Sequence, residues 1–291
     1  MLEGVFSAII TPFDRDRNVD EDAYRALIDR QIAGGVDGFV PCGTTGESAT
    51  LNHDEHKQVI DLCLEHVAGR AKVIAGTGSN STRESIELTQ YAEKAGADAA
   101  LLITPYYNKP TQAGLYDHYK TVAEAVELPL VLYNVPGRTA VDMSTDTVCQ
   151  LAEISNIVAL KDATSSMERA SEVHVRCGDS LTLISGDDAS FYPFLVVGGR
   201  GCISVTANVA PERVVRLWKA WNERDLETAL KEHEKLLEIN QLLFCETSPI
   251  PVKALAHMMG MCQEYLRRPL VPLADAFREP LRQAAQRLDI L

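Results

Sequence analysis

The chain has 291 residues, of which 46% are hydrophobic and 24% are charged, and its formal net charge at pH 7 is −13. This composition is ordinary for a globular protein with a sizeable core, and it excludes an intrinsically disordered chain. The acidic balance argues against nucleic acids and anionic membrane surfaces as partners, because both favour a basic face. We therefore expect small molecules as ligands, with no nucleic acid and no membrane as a partner.

Short runs rich in Val, Ile, Leu and Ala recur along the chain and predict eight buried strands. In chain order, these are Val5–Ile10, Gly38–Val40, Lys72–Ala75, Ala99–Ile103, Leu130–Tyr133, Ile157–Leu160, Leu181–Ser185 and Gly201–Ser204. Amphipathic segments predict helices at Asp20–Ala33, His53–Val67, Thr82–Ala95, Gln112–Val126, Ser144–Ala152, Met167–Arg176, Ser190–Val197 and Pro211–Asn222. This alternation is typical of βα units that build a parallel sheet.

Eight βα units favour an α/β fold of the (β/α)8 barrel type over an open doubly wound sheet, which usually has about five or six strands. We assign residues 1–224 to a catalytic barrel domain and residues 225–291 to a C-terminal helical region. In that region, helical spacing is seen at Leu226, Leu230, Leu237 and Leu243, and we expect the region to pack on the barrel as a helical appendage.

The seven cysteines form no C-x-x-C pair, and their odd number fits a disulfide framework poorly, so we expect reduced thiols. The N-terminal segment lacks a basic stretch, and its apolar run stops at Pro12, so no secretory signal is expected. No apolar run approaches the roughly 20 residues that span a bilayer. These features predict a cytoplasmic protein.

Lys161 directly follows the predicted strand Ile157–Leu160, where a buried parallel strand would open onto a cleft. In a barrel, catalytic groups gather at the carboxyl ends of the strands. A lysine there can attack a carbonyl once its amine is neutral, which requires desolvation or nearby positive charge, because a free lysine titrates near ~10.4. The segment alone also allows a lysine that ends a strand and points into water.

The residues after other predicted strands form a coherent set. Gly43-Thr44-Thr45-Gly46 offers backbone N–H groups and hydroxyls to a carboxylate, although an ordinary glycine turn has the same composition. Tyr133 ends the strand before Lys161, so it could exchange protons with the amine or could simply be a packing residue. Arg138 could bind a second carboxylate or lie on the surface. Together, these residues predict condensation of a small 2-oxo acid with a second acidic substrate.

A metal site is the alternative chemistry. His53 and His56 are three residues apart at the start of a predicted helix and could share a face. They form no H-E-x-x-H pattern, and the other histidines are scattered. We therefore expect no metal and no cofactor.

Six motifs carry a resemblance that covers nearly the whole chain. They are Gly43-Thr44-Thr45-Gly46-Glu47-Ser48, Thr104-Pro105-Tyr106-Tyr107, Tyr133-Asn134-Val135-Pro136, Lys161-Asp162-Ala163-Thr164, Ser185-Gly186-Asp187-Asp188 and Pro249-Ile250-Pro251-Val252-Lys253. In their order and spacing, the chain resembles the dihydrodipicolinate synthase family of the pyruvate-dependent class I aldolase superfamily. The resemblance implies a lyase that forms a Schiff base between Lys161 and pyruvate and condenses it with L-aspartate 4-semialdehyde. The product would be 4-hydroxy-tetrahydrodipicolinate, in the first committed step of lysine biosynthesis by the diaminopimelate route.

The resemblance also implies roles for single residues. The proton relay would consist of Thr44, Tyr107 and Tyr133, with Tyr107 supplied by the neighbouring subunit across a tight dimer interface. The substrate site would be formed by Thr45, Gly186, the backbone of Ile203, and Arg138, which would bind the carboxylate of the semialdehyde. The expected assembly is a homotetramer built as a dimer of dimers.

A second set of residues resembles the lysine-binding positions of feedback-inhibited members. It comprises Ser48, Ala49, His53, His56, Asn80, Glu84 and Tyr106. Ordinary loop and helix-start chemistry would also explain Asn80 and Glu84. We expect an L-lysine site near the dimer interface through which the product restrains the pathway.

Two other functions remain open at this point. N-acetylneuraminate lyases and other 2-keto-3-deoxy sugar-acid aldolases resemble the chain in fold and lysine chemistry, but the lyases lack an arginine in the position of Arg138. A catalytically silent barrel that binds metabolites would have no need of Lys161 with its relay. The chain departs from the family at Ser165, where glycine is usual, and at Thr247-Ser248. These departures affect expectations about substrate geometry more than about the reaction.

Overall fold

Eight parallel strands form a closed barrel and follow one another around it in chain order, in a computed structural model that describes residues 2–291. The strands are β1 (Gly4–Ser7), β2 (Gly38–Phe39), β3 (Lys72–Gly76), β4 (Ala99–Ile103), β5 (Leu130–Asn134), β6 (Ile157–Asp162), β7 (Thr182–Ser185) and β8 (Gly201–Ser204). This architecture confirms the predicted (β/α)8 barrel.

Helices separate most of the strands and continue beyond the last one. They are α1 (Glu21–Ala33), α2 (His53–Val67), α3 (Thr82–Ala95), α4 (Gln112–Glu124), α5 (Pro136–Thr139), α6 (Thr145–Leu151), α7 (Met167–Cys177), α8 (Phe191–Val196), α9 (Pro211–Asn222), α10 (Leu226–Leu242), α11 (Ile250–Met258) and α12 (Asp275–Arg287). The C-terminal region is helical, as predicted, whereas the domain boundary at residue 224 stays a prediction.

The helix bounds follow from local signals. Asn52 caps α2 in a complete capping box, because its side chain accepts from the backbone while the Glu55 carboxylate accepts from the N–H of Asn52. Ser81 caps α3 by accepting from the N–H of Glu84. Gly96 then ends α3 with φ +90, a left-handed conformation that glycine adopts without steric cost.

Strand β6 extends further than its apolar run predicted. Pairing with β5 continues through Tyr133↔Lys161 and Asn134↔Asp162, so Lys161 lies inside the strand instead of after it. The polar ends of β5 and β6 can stay in the ladder because parallel pairing uses only backbone groups. The prediction that Lys161 stands near the carboxyl end of this strand is confirmed, but the predicted strand end at Leu160 was wrong.

The leucines with helical spacing do not form the buried face of α10. Leu226, Leu230 and Leu237 are 48%, 42% and 39% exposed, whereas Leu243 just beyond the helix is buried. The residues that α10 buries are Ala229, Glu232, Leu236, Ile239 and Asn240. Two of these are polar and have partners: Glu232 pairs with Arg213, and Asn240 accepts from the Thr206 hydroxyl. A satisfied polar pair can therefore replace leucine on the inner face of a helix.

The chain divides into two compact units. One contains Val73–Ile203 with the residues that precede Val5, and the other contains Val5–Lys72 and Ser204–Leu291. Lys161 and Tyr133 belong to the first unit, and the Gly43–Glu47 turn belongs to the second. Across residues 2–291, no helix is long and apolar enough to cross a membrane.

Candidate active site

Lys161 and Tyr133 lie side by side on two paired strands. They are directly opposite each other in the register of β5 and β6. The Lys161 Nζ lies 4.0 Å from the centroid of the Tyr133 ring, and both residues are buried. Parallel neighbours in register project their side chains to the same face, which explains why the amine meets the ring. A buried amine beside a phenol is suited to nucleophilic chemistry with proton transfer.

The strand end that carries Lys161 is fixed by the next residue, Asp162. One oxygen of its buried carboxylate accepts from the Thr164 N–H at 2.8 Å and from the Thr164 hydroxyl at 2.6 Å. The other accepts from Arg169 Nε at 2.9 Å. The chain then turns through Ser165, which has φ +58, a left-handed conformation in which glycine is free of strain.

Gly186 lies against Lys161. Its N–H donates to the Asp162 carbonyl at 2.7 Å. A β-carbon at this position would stand 3.0 Å from Lys161 Cε and 2.9 Å from Ala163 Cβ. The close approach requires glycine, and it leaves the space beside the lysine side chain unblocked by a methyl group. Ile203 lies on β8, where it is buried.

Arg138 lies on α5, a single turn that follows β5, and its side chain is exposed. Pro136 begins the turn, and the Thr139 hydroxyl donates to the carbonyl of Val141 at 2.9 Å. The segment after this turn is tied back to β5, because Asn134 Oδ1 accepts from the Met143 N–H at 3.0 Å. Arg138 therefore projects from a short, well-anchored turn.

Arg169 links that anchored segment to the nucleophile strand. Its Nη2 donates to the Met143 carbonyl at 2.5 Å while its Nε pairs with Asp162. The loop that carries Arg138 and the strand that carries Lys161 consequently share one guanidinium. Arg169 was not identified from the sequence, where its local signal is its position in the first turn of α7, seven residues after Asp162.

Three of the predicted lysine-binding residues lie together in the first unit. Asn80 Nδ2 donates to the Tyr106 carbonyl at 3.2 Å. The pKa of Tyr106 is raised, mainly because the phenol is partly buried and to a smaller extent because the negatively charged Glu84 is near. Glu84 also accepts from the Ser79 hydroxyl. The cluster presents a carboxylate, an amide and a phenol, which are groups that can bind an ammonium and a carboxylate.

Tyr107 has an unusual conformation. Its φ is +68, and its side chain is 90% exposed. A left-handed conformation is a genuine outlier for a bulky residue, and strain of this kind is typically found at functional sites. Within this chain the phenol projects into solvent.

The Gly43–Glu47 turn in the second unit presents Thr44 and Thr45. Its backbone closes on itself, since the Gly46 N–H donates to the Gly43 carbonyl and the Glu47 N–H donates to the Thr44 carbonyl, both at 3.1 Å. Thr45 is buried and Thr44 half-buried. The turn is thus a compact element that carries both threonines, and their part in binding a carboxylate stays a prediction.

The remaining predicted lysine-binding residues follow this turn. Ser48 and Ala49 form a 3-10 turn, and His53 is the exposed first residue of α2. His56 lies one turn along α2 and is buried, and its carbonyl accepts from the Cys42 thiol. The structure therefore places these four positions on one short continuous segment.

Comparisons with known proteins identify the family. The sequence model of the Dihydrodipicolinate synthetase family matches residues 1–288. A 4-hydroxy-tetrahydrodipicolinate synthase of Magnetococcus marinus is 60% identical over 291 residues, covering 100% of this chain and 99% of that protein. Another from Pelobacter propionicus is 52% identical and covers 97% of each chain.

Solved structures agree with this match. The chloride-inhibited dihydrodipicolinate synthase from Acinetobacter baumannii, complexed with pyruvate, has a TM-score of 0.98 at 47% identity, covering 100% of both chains. The synthase from Cyanidioschyzon merolae with lysine bound has a TM-score of 0.96 at 36% identity, covering 99% of both chains. The chain belongs to the dihydrodipicolinate synthetase family.

Proposed function

We propose that Lys161 is the nucleophile with which this lyase condenses pyruvate and L-aspartate 4-semialdehyde to give 4-hydroxy-tetrahydrodipicolinate. This reaction is the first committed step of lysine biosynthesis by the diaminopimelate route. The observation that carries the assignment is the buried amine of Lys161, held 4.0 Å from the ring of Tyr133. The names of the relatives and the pyruvate complex of one of them support the same reaction.

The chemistry proceeds through a covalent intermediate. The Lys161 amine adds to C2 of pyruvate, and loss of water gives an imine. Loss of a proton from C3 gives an enamine, whose C3 attacks the aldehyde carbon of the second substrate. The amine of that substrate then attacks C2, closes the ring and releases Lys161. Each step needs a proton moved at the amine or at an oxygen, and Tyr133 is the phenol in contact with the nucleophile.

The other site residues complete the proposal. Thr44 joins Tyr133 in the proton relay, and Thr45 and the backbone of Ile203 bind pyruvate beside Gly186. Arg138 binds the carboxylate of the semialdehyde, since a guanidinium can donate two parallel hydrogen bonds to that group. Its place on an exposed turn suits the recognition of the second, larger substrate.

Substrate choice is tested by aldehyde competition. L-aspartate 4-semialdehyde and N-acetylmannosamine are each supplied with pyruvate, and the product is measured for the wild type and for Arg138→Ala. We expect turnover with the semialdehyde, and we expect Arg138→Ala to raise KM for that substrate. Turnover with the sugar aldehyde alone would leave the lysine mechanism in place and assign the chain to the sugar-acid aldolases.

We further propose that Tyr107 acts in the active site of a neighbouring subunit, within a dimer that pairs into a tetramer. Its strained backbone and 90% exposed side chain support this role, because a solvated tyrosine gains nothing from such a conformation. Subunits of Tyr107→Phe and Lys161→Ala are refolded together as hybrids. A relay that crosses between subunits predicts that the mixture regains activity that neither parent has. Activity no higher than that of the parents would place Tyr107 in its own subunit's site.

L-lysine is proposed to inhibit the enzyme at Ser48, Ala49, His53, His56, Asn80, Glu84 and Tyr106. The grouping of Asn80, Glu84 and Tyr106 supports this, as does the lysine-bound structure of one relative. Glu84→Ala removes the carboxylate and is expected to raise the lysine concentration needed for half-inhibition. Glu87→Ala is the matched control, because Glu87 is exposed on the same helix. Unchanged inhibition in Glu84→Ala would reject the site.

We also propose a cytoplasmic location. All seven cysteines are free thiols in the structure, which suits a reducing compartment. Cell fractionation tests this, and recovery in a secreted fraction would contradict it.

A further inference from the structure

The second unit contains a fully buried ion pair that the proposed mechanism does not use. Lys253 Nζ donates to Glu47 Oε1 at 2.5 Å, and the two side chains are 0% and 1% exposed. The same Nζ donates to the Tyr265 carbonyl at 2.8 Å and lies 4.2 Å from the centroid of the Phe13 ring. Burial lowers the pKa of Lys253, and the Glu47 carboxylate opposes this effect. With no exposed surface, Lys253 cannot meet a substrate.

The second oxygen of Glu47 is held by Arg267. The backbone N–H of Arg267 donates to Glu47 Oε2 at 2.9 Å. The guanidinium of Arg267 is fixed in turn, because it binds both oxygens of Glu55 at 2.5 and 2.8 Å and donates to the Thr50 carbonyl at 2.9 Å. Both carboxylate oxygens of Glu47 are therefore held by groups more than 200 positions away in the sequence.

Glu47 closes the turn that presents Thr44 and Thr45. Its N–H donates to the Thr44 carbonyl, and its own carbonyl accepts from the Thr50 hydroxyl at 3.1 Å. Its φ of +56 is left-handed, a conformation that costs a non-glycine residue energy. Glu47 therefore connects the two parts: its carboxylate is fixed by Lys253 and Arg267, and its backbone forms hydrogen bonds within the turn.

Stability does not explain this arrangement. Replacing a buried ion pair by apolar side chains of similar volume is often neutral or stabilising, because two charges no longer have to be desolvated. The left-handed backbone of Glu47 adds a further cost. The ion pair and the left-handed backbone both cost stability, and both lie at the turn that carries Thr44 and Thr45. Their role is therefore to fix the geometry of that turn.

We propose that Glu47 is a positioning residue whose carboxylate, held by Lys253 and Arg267, sets the placement of the Thr44 and Thr45 hydroxyls for pyruvate chemistry. The inference rests on the proposed function, in which Thr44 relays protons and Thr45 binds pyruvate. Glu47 acts through the turn and not on the substrate.

The test replaces the ion pair by an apolar pair, Glu47→Leu/Lys253→Met. A second variant, Glu47→Gln/Lys253→Met, keeps an oxygen that can accept from the Arg267 N–H. The matched control is Glu232→Leu/Arg213→Met, which removes another pair with a buried carboxylate in the same unit, between α9 and α10. Urea midpoints establish that each variant is folded, and steady-state kinetics give kcat and KM for both substrates.

We expect Glu47→Leu/Lys253→Met to lower kcat/KM for pyruvate by roughly 100-fold, the effect of a displacement of about 1 Å in a positioned group. KM for the semialdehyde should stay within about twofold, since its binding site is not on this turn. The glutamine variant should recover most of the loss. The control should retain wild-type kinetics even where its urea midpoint falls.

Wild-type kcat/KM for pyruvate in a folded Glu47→Leu/Lys253→Met variant would overturn the inference. Equal kinetic losses in this variant and in the Glu232 control would also overturn it, because a general loss of stability would then explain both. Should the leucine variant fail to fold, the glutamine variant decides. We then expect its kcat/KM for pyruvate to lie below that of the Glu232 control, and equal values would overturn the proposal. Borohydride trapping of pyruvate on wild-type Lys161 distinguishes a failure of the proposed function from a failure of the role of Glu47. Its failure removes the proposed function, whereas its success with unchanged kinetics in the variants removes only the role of Glu47.

Discussion

Arg169→Met is expected to destabilise the protein strongly and to impair use of the semialdehyde. The Arg169 side chain is 12% exposed, and its Nε lies 2.9 Å from an Asp162 oxygen whose side chain is 3% exposed. Removing one partner of a buried pair leaves an uncompensated charge, which costs about 3–5 kcal/mol. This destabilisation includes the loss of the hydrogen bond from Arg169 to the Met143 carbonyl.

Urea unfolding at fixed protein concentration measures this cost. Arg176→Met is the matched control, because Arg176 lies on the same helix but pairs with exposed carboxylates of Asp146 and Glu172, and such pairs contribute about 1 kcal/mol or less. The double variant Asp162→Asn/Arg169→Met should be less destabilised than the sum of its two single variants, since the unpaired charge is gone.

Arg169 links the loop after Arg138 to the strand that carries Lys161, so its loss should also affect kinetics. We expect kcat/KM for the semialdehyde to fall in Arg169→Met and not in Arg176→Met. A change in unfolding free energy below about 1 kcal/mol, or equal effects in the two variants, would refute the reasoning.

Three further predictions concern single positions. Gly186→Ala should lower kcat by displacing the Lys161 side chain, whose Cε lies 3.0 Å from the added Cβ, and unchanged steady-state rates would contradict the contact. Burial lowers the pKa of His118 from 6.5 to about 4, so stability present above pH 6.5 should fall by up to about 3 kcal/mol as the pH drops to about 4. His118→Gln should reduce the pH dependence of the free energy of unfolding measured by urea titration. A variant with the wild-type pH dependence would contradict the assignment to His118. Ser165→Gly should raise the free energy of unfolding by up to about 1 kcal/mol, because the relief of left-handed strain exceeds glycine's added entropy cost, and a lower free energy of unfolding would contradict this.

The parts of the fold that the sequence predicts are those with local signals. The bounds of α2 and α3 were predicted correctly because a capping residue and a turn or glycine stand next to them. The contact of Tyr133 with Lys161 was also predictable, because consecutive βα strands pair in register.

The parts that the sequence does not predict depend on distant partners. The inner face of α10 holds Glu232, and no local pattern reveals that Arg213 of α9 pairs with it. Glu47 was visible in a motif, but its contact with Arg267 joins positions 220 residues apart. Periodicity describes the apolar face of a helix well and describes buried polar networks poorly.

The central claim is that Lys161 forms the Schiff base with pyruvate. Pyruvate and borohydride are added to the wild type and to Lys161→Arg, and peptides are mapped by mass spectrometry. The account predicts that the mass of one reduced pyruvate adduct appears on the peptide with Lys161 and is absent from the variant. A pyruvate-treated wild type with Lys161 unmodified, or an adduct on another lysine, would contradict it.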